Sequence, residues 1–272
     1  GPASNTASAT APPSRYRFLV PAFATHLCIG APFAWSTMPV ARELGVVAAA
    51  ANDWSVGAAM MPMSIVFAVQ GLVAASAGKL QLRIGTRASI ALAAACFGGG
   101  TMLGAAGVAT HQLWLLYAGY GLVAGAGVGL AYTPPIQTLI EWFPDKRGLA
   151  SGVTIAGFGG GALLFTPLAA YVRSLFAKTP EFVGTTDAVH AAVGDGGKLF
   201  ANGREVVLAT KSDLALTLGP DAAAAAEAGY YAVGTGNTGA AGAMLVLGAG
   251  YFATMLASAL AMKRPAPGWH PA

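Results

Sequence analysis

Residues 132–167 read YTPPIQTLIEWFPDKRGLASGVTIAGFGGGALLFTP, and the fold is decided by how this stretch divides. An apolar, glycine-rich run ends in Pro134-Pro135. A compact polar turn follows, Trp142-Phe143-Pro144-Asp145-Lys146-Arg147-Gly148, and then a second glycine-rich apolar run. The turn is too polar for hydrocarbon and too short for a domain, so it predicts a tight connector between two membrane-spanning helices. Pro144 and Gly148 suit the sharp reversal.

Counting outward from the connector gives more runs of the same kind. A helix that crosses about 30 Å of hydrocarbon needs roughly 20 apolar residues. Six segments meet that length: residues 18–40, 54–77, 88–109, 113–134, 149–172 and 239–262. None contains Asp, Glu, Lys or Arg, each of which would cost several kcal/mol at mid-membrane. The composition agrees, with 55% hydrophobic and 10% charged residues against about 25% charged in soluble domains. The expected class is an all-α membrane protein with six transmembrane helices in the lipid bilayer.

Charge sets the orientation. With the N-terminus cytoplasmic, one side collects Arg15, Arg17, Lys79, Arg83, Arg87, Lys146, Arg147, Lys263 and Arg264 against only Glu141 and Asp145. Short loops rich in Lys and Arg stay inside. The net charge of +4 is therefore topological; no basic stripe interleaves with aromatics, and nucleic acid is excluded as a partner. Cys28 and Cys96 lie in apolar runs without metal or disulfide spacing. No metal, no cofactor and no enzymatic constellation is expected. GAGVG at 125–129 follows no strand and lacks a Lys-Ser/Thr ending, which removes a nucleotide-loop reading.

The expected layout is a disordered tail over 1–16, helices one to five over 17–172, an insert over 173–238, helix six over 239–262 and the start of a cytoplasmic loop over 263–272. The insert has a different texture. REVVLAT at 204–210 follows an Asn202-Gly203 turn and predicts a strand, and residues 222–228 suggest a short helix. A small α+β unit facing away from the cytoplasm follows. Within the spans, Gly121/Gly125/Gly129 and Gly157/Gly161 recur at four-residue spacing, which lets helices approach closely.

Two connectors carry a resemblance. Gly78-Lys79-Leu80-Gln81-Leu82-Arg83-Ile84-Gly85-Thr86-Arg87 resembles the G-x-L-x-D-R-x-G-x-R signature of the major facilitator superfamily, with Gly78, Leu80, Arg83, Gly85 and Arg87 matching and Leu82 standing in place of the acid. Residues 129–167, with WFPDKRGLASG followed by GFGxGA, resemble the oxalate/formate antiporter family within it. GAPFAWSTMPV, YAVGTGNTGA and KRPAPGW agree. The resemblance implies the N-terminal half of a twelve-span carrier, working with a C-terminal six-helix half in the same chain or a partner.

That resemblance in turn implies alternating-access transport of a small carboxylate such as oxalate or formate, held between the two halves. The pore-lining candidates are Phe33, Trp35, Gln70 and Tyr132; aromatic walls would size a flat anion, and Gln70 or Tyr132 would donate hydrogen bonds. Gly78, Arg83, Gly85, Arg87, Asp145, Lys146 and Arg147 form the expected gating and cytoplasmic motif. With no carboxylate in any span, anion exchange is favoured. The alternatives are a proton-coupled monocarboxylate carrier and a non-transporting six-span receptor or assembly protein. His26 is the one histidine inside a span, which makes it a functional candidate, although a packing role fits its lack of a carboxylate partner. The expected location is a plasma or inner membrane.

Overall fold

The computed structural model describes residues 14–266 and 269. Most of the expected tail lies outside those residues; its last part does not extend freely, because Arg15–Phe18 forms a 3-10 turn leading into α1, Leu19–Ile29. A second 3-10 segment, Ala31–Thr37, continues α1. Next come α2 (Val56–Ala109), α3 (Leu113–Leu116) with the π-helical Tyr117–Ala124, α4 (Gly125–Trp142) and α5 (Arg147–Phe176). Five helices, counting these continuous runs and the last, Ala240–Ala261, are long and apolar enough to cross a membrane.

The count differs from the expected six at α2. Its 54 residues would extend about 81 Å at 1.5 Å per residue, far beyond one hydrocarbon layer. The run is broken at Gly85, whose φ of 85° and ψ of 164° lie outside helical space. Only glycine adopts that conformation without strain. The expected ten-residue connector is thus helical on both sides of a single-residue break. It is pinned from within: Gln81 Nε2 donates to Thr86 Oγ1 at 3.0 Å, and Thr86 and Thr138 hydroxyls pair at 3.1 Å, tying the break to α4.

The sequence also predicted that the fourth span ends at the Pro-Pro pair, yet α4 runs through Pro134 and Pro135 to Trp142. Proline removes a donor and crowds the preceding turn, but both prolines here are buried against neighbouring helices that hold the run together. The helices meet through small residues. A Cβ at Gly161 of α5 would lie 2.5 Å from the Gly30 carbonyl carbon, a separation that only glycine permits. This close approach is the kind that membrane helices use in place of a hydrophobic driving force.

Between α5 and the last helix the chain forms a five-stranded antiparallel sheet of order β1-β5-β4-β3-β2: β1 (Phe182–Gly184), β2 (Ala192–Val193), β3 (Leu199–Ala201), β4 (Arg204–Ala209) and β5 (Gly229–Ala232). Asn202 and Gly203, both at positive φ, make the β3–β4 turn as their sequence suggests. Two short helices, α6 (Lys211–Leu218) and α7 (Pro220–Ala225), lie between β4 and β5, and α8, Ala240–Ala261, is the last helix among the described residues. A capping box between Thr210 and Asp213 starts α6.

The sheet is not a separate body. Val47 and Ala48, from the connector before α2, are buried in one cluster with Val207, Ala209, Leu214, Ala223 and Tyr231. Arg42 pairs with Asp213 at 3.0 Å, Thr217 Oγ1 donates to the Val47 carbonyl, and the Thr238 hydroxyl donates to Glu43.

Candidate functional site

The α1 region carries the first half of the site. After α1 ends, the 3-10 segment turns Phe33 outward and Trp35 inward. Phe33 is 41% exposed, its ring 5.1 Å from Phe67 of α2 and 5.3 Å from Phe158 of α5. Phe158 in turn meets the ring of Tyr132 on α4 edge-on at 5.4 Å. Four helical segments thus bring Phe33, Phe67, Phe158 and Tyr132 into one aromatic band, reaching the surface at Phe33.

His26 continues the band inward. Its ring lies 5.7 Å from that of Tyr132, and it is wholly buried. Nδ1 is 3.1 Å from the Ala22 carbonyl, and Nε2 is 3.1 Å from the Tyr132 carbonyl. Gln70 lies three residues past Phe67 and therefore on the same face of α2. Its Oε1 is buried without a hydrogen-bond partner among the described residues, an unusual state for such an atom.

Trp35 stands apart. It is 2% exposed, stacks on Tyr120 at 4.3 Å, and donates from Nε1 to the Ala59 carbonyl at 3.0 Å. It lines a cavity of about 30 Å³ within the bundle, shared with Tyr120, Phe165 and Tyr251. Of the four pore-lining candidates, the structure joins Phe33 and Tyr132 through Phe158, places Gln70 along the adjoining face, and turns Trp35 away. Phe67 and Phe158 were not singled out from the sequence; Phe158 lies inside the GFGxGA run, where the one bulky side chain among small ones was the available signal.

At the opposite end of the helices, the polar connector is held by charge. Arg15 grips Asp145 with both guanidinium nitrogens, Nη2 to Oδ2 at 2.8 Å, and also donates to the Trp142 carbonyl. The Arg15 hydrogen bond holds the Asp145 carboxyl below the usual range. Lys146 Nζ reaches the Tyr16 hydroxyl at 3.3 Å. Arg87 Nε donates to the Met262 carbonyl at 2.8 Å, capping the C-terminal end of α8, while Glu141 pairs with Arg264. Arg83 and Arg147 are exposed, and Gly78 lies with Lys79 and Leu82 along an open groove of about 550 Å³ beside Gln137 and Arg264. Leu82, where the signature has an acid, is 75% exposed.

At the sheet end, Glu43 is largely buried, and desolvation raises its carboxyl to about 7, opposed by the Thr238 hydroxyl and assisted by the charge of Asp53. Arg173 donates from Nη1 to the carbonyls of Thr217 at 2.8 Å and Thr238 at 3.1 Å. No group of three or more possible metal ligands occurs among the described residues.

A sequence profile described as Major Facilitator Superfamily matches residues 18–179. Among curated proteins, the chain is 62% identical over 53 residues to an oxalate:formate antiporter of Oxalobacter formigenes, covering 20% of this chain and 12% of that protein. It is 47% identical over 74 residues to apicoplast pyruvate carrier 1 of Toxoplasma gondii, covering 27% and 14%. To monocarboxylate transporter 11 of Mus musculus it is 36% identical over 66 residues, covering 24% and 15%. The matched stretches are therefore short pieces of much longer relatives.

Proposed function

Because the chain belongs to the Major Facilitator Superfamily, we propose that it is the N-terminal half of a secondary carrier for small carboxylates of the formate and oxalate kind. In this reading α2 is two spans joined at Gly85, giving six with α1 and its 3-10 extension, α3–α4, α5 and α8. The N-terminus and the Asp145-Lys146-Arg147 connector face the cytoplasm, the sheet insert over 173–238 faces away, and the bilayer is a plasma or inner membrane. The substrate would lie between this half and a second six-helix half, in the same chain or a partner.

The observation that carries the reading is the aromatic band Phe33–Phe158–Tyr132, which reaches the surface of the bundle at Phe33. Aromatic walls admit a thin planar anion, and the Gln70 amide group or Tyr132 hydroxyl can donate to it. Trp35 serves as scaffold beneath Phe33. Arg83, Gly85, Arg87 and the Arg15–Asp145 clasp act at the cytoplasmic end as the gating elements. Anion exchange is the first mode of coupling, since no carboxylate lies in these spans to relay protons; a proton-coupled mode is favoured by one observation, the paired carbonyl contacts of His26. A non-transporting receptor gains no support from relatives that are a carrier, an antiporter and a transporter by name.

The test is uptake of radiolabelled formate and oxalate into proteoliposomes, with this chain alone and in its full coding context. Uptake that depends on carboxylate loaded inside supports exchange. Uptake driven by an acid exterior with empty vesicles supports proton coupling. Absence of any carboxylate movement in both forms refutes the proposal.

A further inference from the structure

Resting on the carboxylate reading, we propose that His26 is a proton-binding site, filled when a carboxylate occupies the Phe33–Phe158–Tyr132 band. The geometry is unusual in one respect. Both ring nitrogens of His26 face acceptors, the carbonyl oxygens of Ala22 and Tyr132, each at 3.1 Å. An imidazole with one proton has one donor and one acceptor nitrogen. One contact is then a hydrogen bond, while the other sets a nitrogen lone pair against a carbonyl oxygen. A second ring proton turns both contacts into donated bonds.

The surroundings say when that proton can be held. Tyr132 of α4 is the ionisable side chain whose ring meets His26, and α5 presents Gly157 to it; the packed helices also carry Cys28 on α1, Glu141 on α4, Arg147, Tyr171 and Arg173 on α5, and Tyr251 on α8. Among the described residues no carboxylate and no cation faces the ring. A buried charge without a partner is costly. A carboxylate on the aromatic band would supply the counter-charge, because Tyr132 belongs both to that band and to the His26 contact. Proton and anion therefore bind as a pair.

The experiment titrates formate affinity, read by tryptophan fluorescence of the purified carrier, between pH 5 and 8 for wild type and His26→Gln. Glutamine keeps an amide donor near the Nε2 position but has no proton to exchange. With one linked proton, the wild-type Kd rises about tenfold per pH unit on the alkaline side of the transition, while the His26→Gln Kd stays flat. A flat wild-type Kd, or a variant that keeps the wild-type slope, overturns the inference and leaves the carboxylate reading standing. Formate that binds to neither protein at any pH sinks the carboxylate reading itself. Should His26→Gln fail to fold, 15N spectra of imidazole-labelled wild type at fixed pH decide the matter. Added formate shifts the His26 ring to its doubly protonated pattern if the inference holds, and an unchanged ring overturns it.

Discussion

The substitution Glu43→Gln should remove the pH response of stability that this group contributes at the junction between the sheet insert and the helices. Glu43 accepts from the Thr238 hydroxyl in a largely buried position, and desolvation lifts its carboxyl from 4.5 to about 7. The folded protein therefore keeps a proton that the unfolded chain releases across that interval. Stability from this group is fully present below pH 4.5, declines as pH rises, and is lost by the time pH passes 7. At about 1.4 kcal/mol per pH unit, the interval from 4.5 to about 7 amounts to about 3 kcal/mol. The amide of the variant has nothing to titrate, so the wild-type minus variant difference should shift by that amount between pH 4.5 and 8, with the variant gaining on the wild type toward alkaline pH. Thermal unfolding of both proteins in the same detergent measures it, at roughly 2–4 °C for each kcal/mol in a protein of this size. Taking the difference cancels Asp213 and other groups that do not interact with Glu43. A difference that stays constant across the range, or grows in favour of the wild type at high pH, refutes the burial argument.

Three other substitutions address particular contacts. Gly85→Ala forces a side chain into φ 85°, and should lower stability by about 1–3 kcal/mol in a denaturation series, whereas Gly99→Ala, where an added Cβ meets open space, should not. Gly161→Leu drives bulk into the Gly30 backbone and should remove the monodisperse peak in size-exclusion chromatography. Asp145→Asn frees Arg15 at an exposed site, so transport rate should change while the unfolding midpoint barely moves; a large midpoint shift with an unaltered rate would mean the clasp is structural rather than part of a gate.

The spans were legible because hydrocarbon tolerates so few charges: the charge-free run at 239–262 became α8 within a residue at each end. Breaks were less legible, since a sequence marks where a helix is weakened and not whether neighbours repair it. Pro134-Pro135 looked like a terminus and is held inside α4, whereas the ten-residue connector shrank to the φ of one glycine. In the candidate site, Phe33 and Tyr132 were visible as polarisable side chains in spans. Trp35 had the same appearance but faces the other way, because the 3-10 winding of residues 31–37 displaces it from the direction an α-helix would give. That both His26 nitrogens meet carbonyls depends on the placing of α4 beside α1, which no local pattern encodes. The burial of Val47 among insert residues is equally non-local.

That last packing carries a schedule for biosynthesis. Val47 accepts from Thr217, 170 positions later in the chain. At about 5–20 residues per second, translation delivers that donor roughly ten to thirty seconds after Val47 leaves the ribosome. Throughout that interval the connector before α2 has none of the apolar cover that Val207, Leu214 and Tyr231 later provide. The last strand and α8 then arrive almost together, so completing the sheet and inserting the final helix become one late event. Until then, the connector between the first two long helices lacks its native cover and is open to chaperones and proteases.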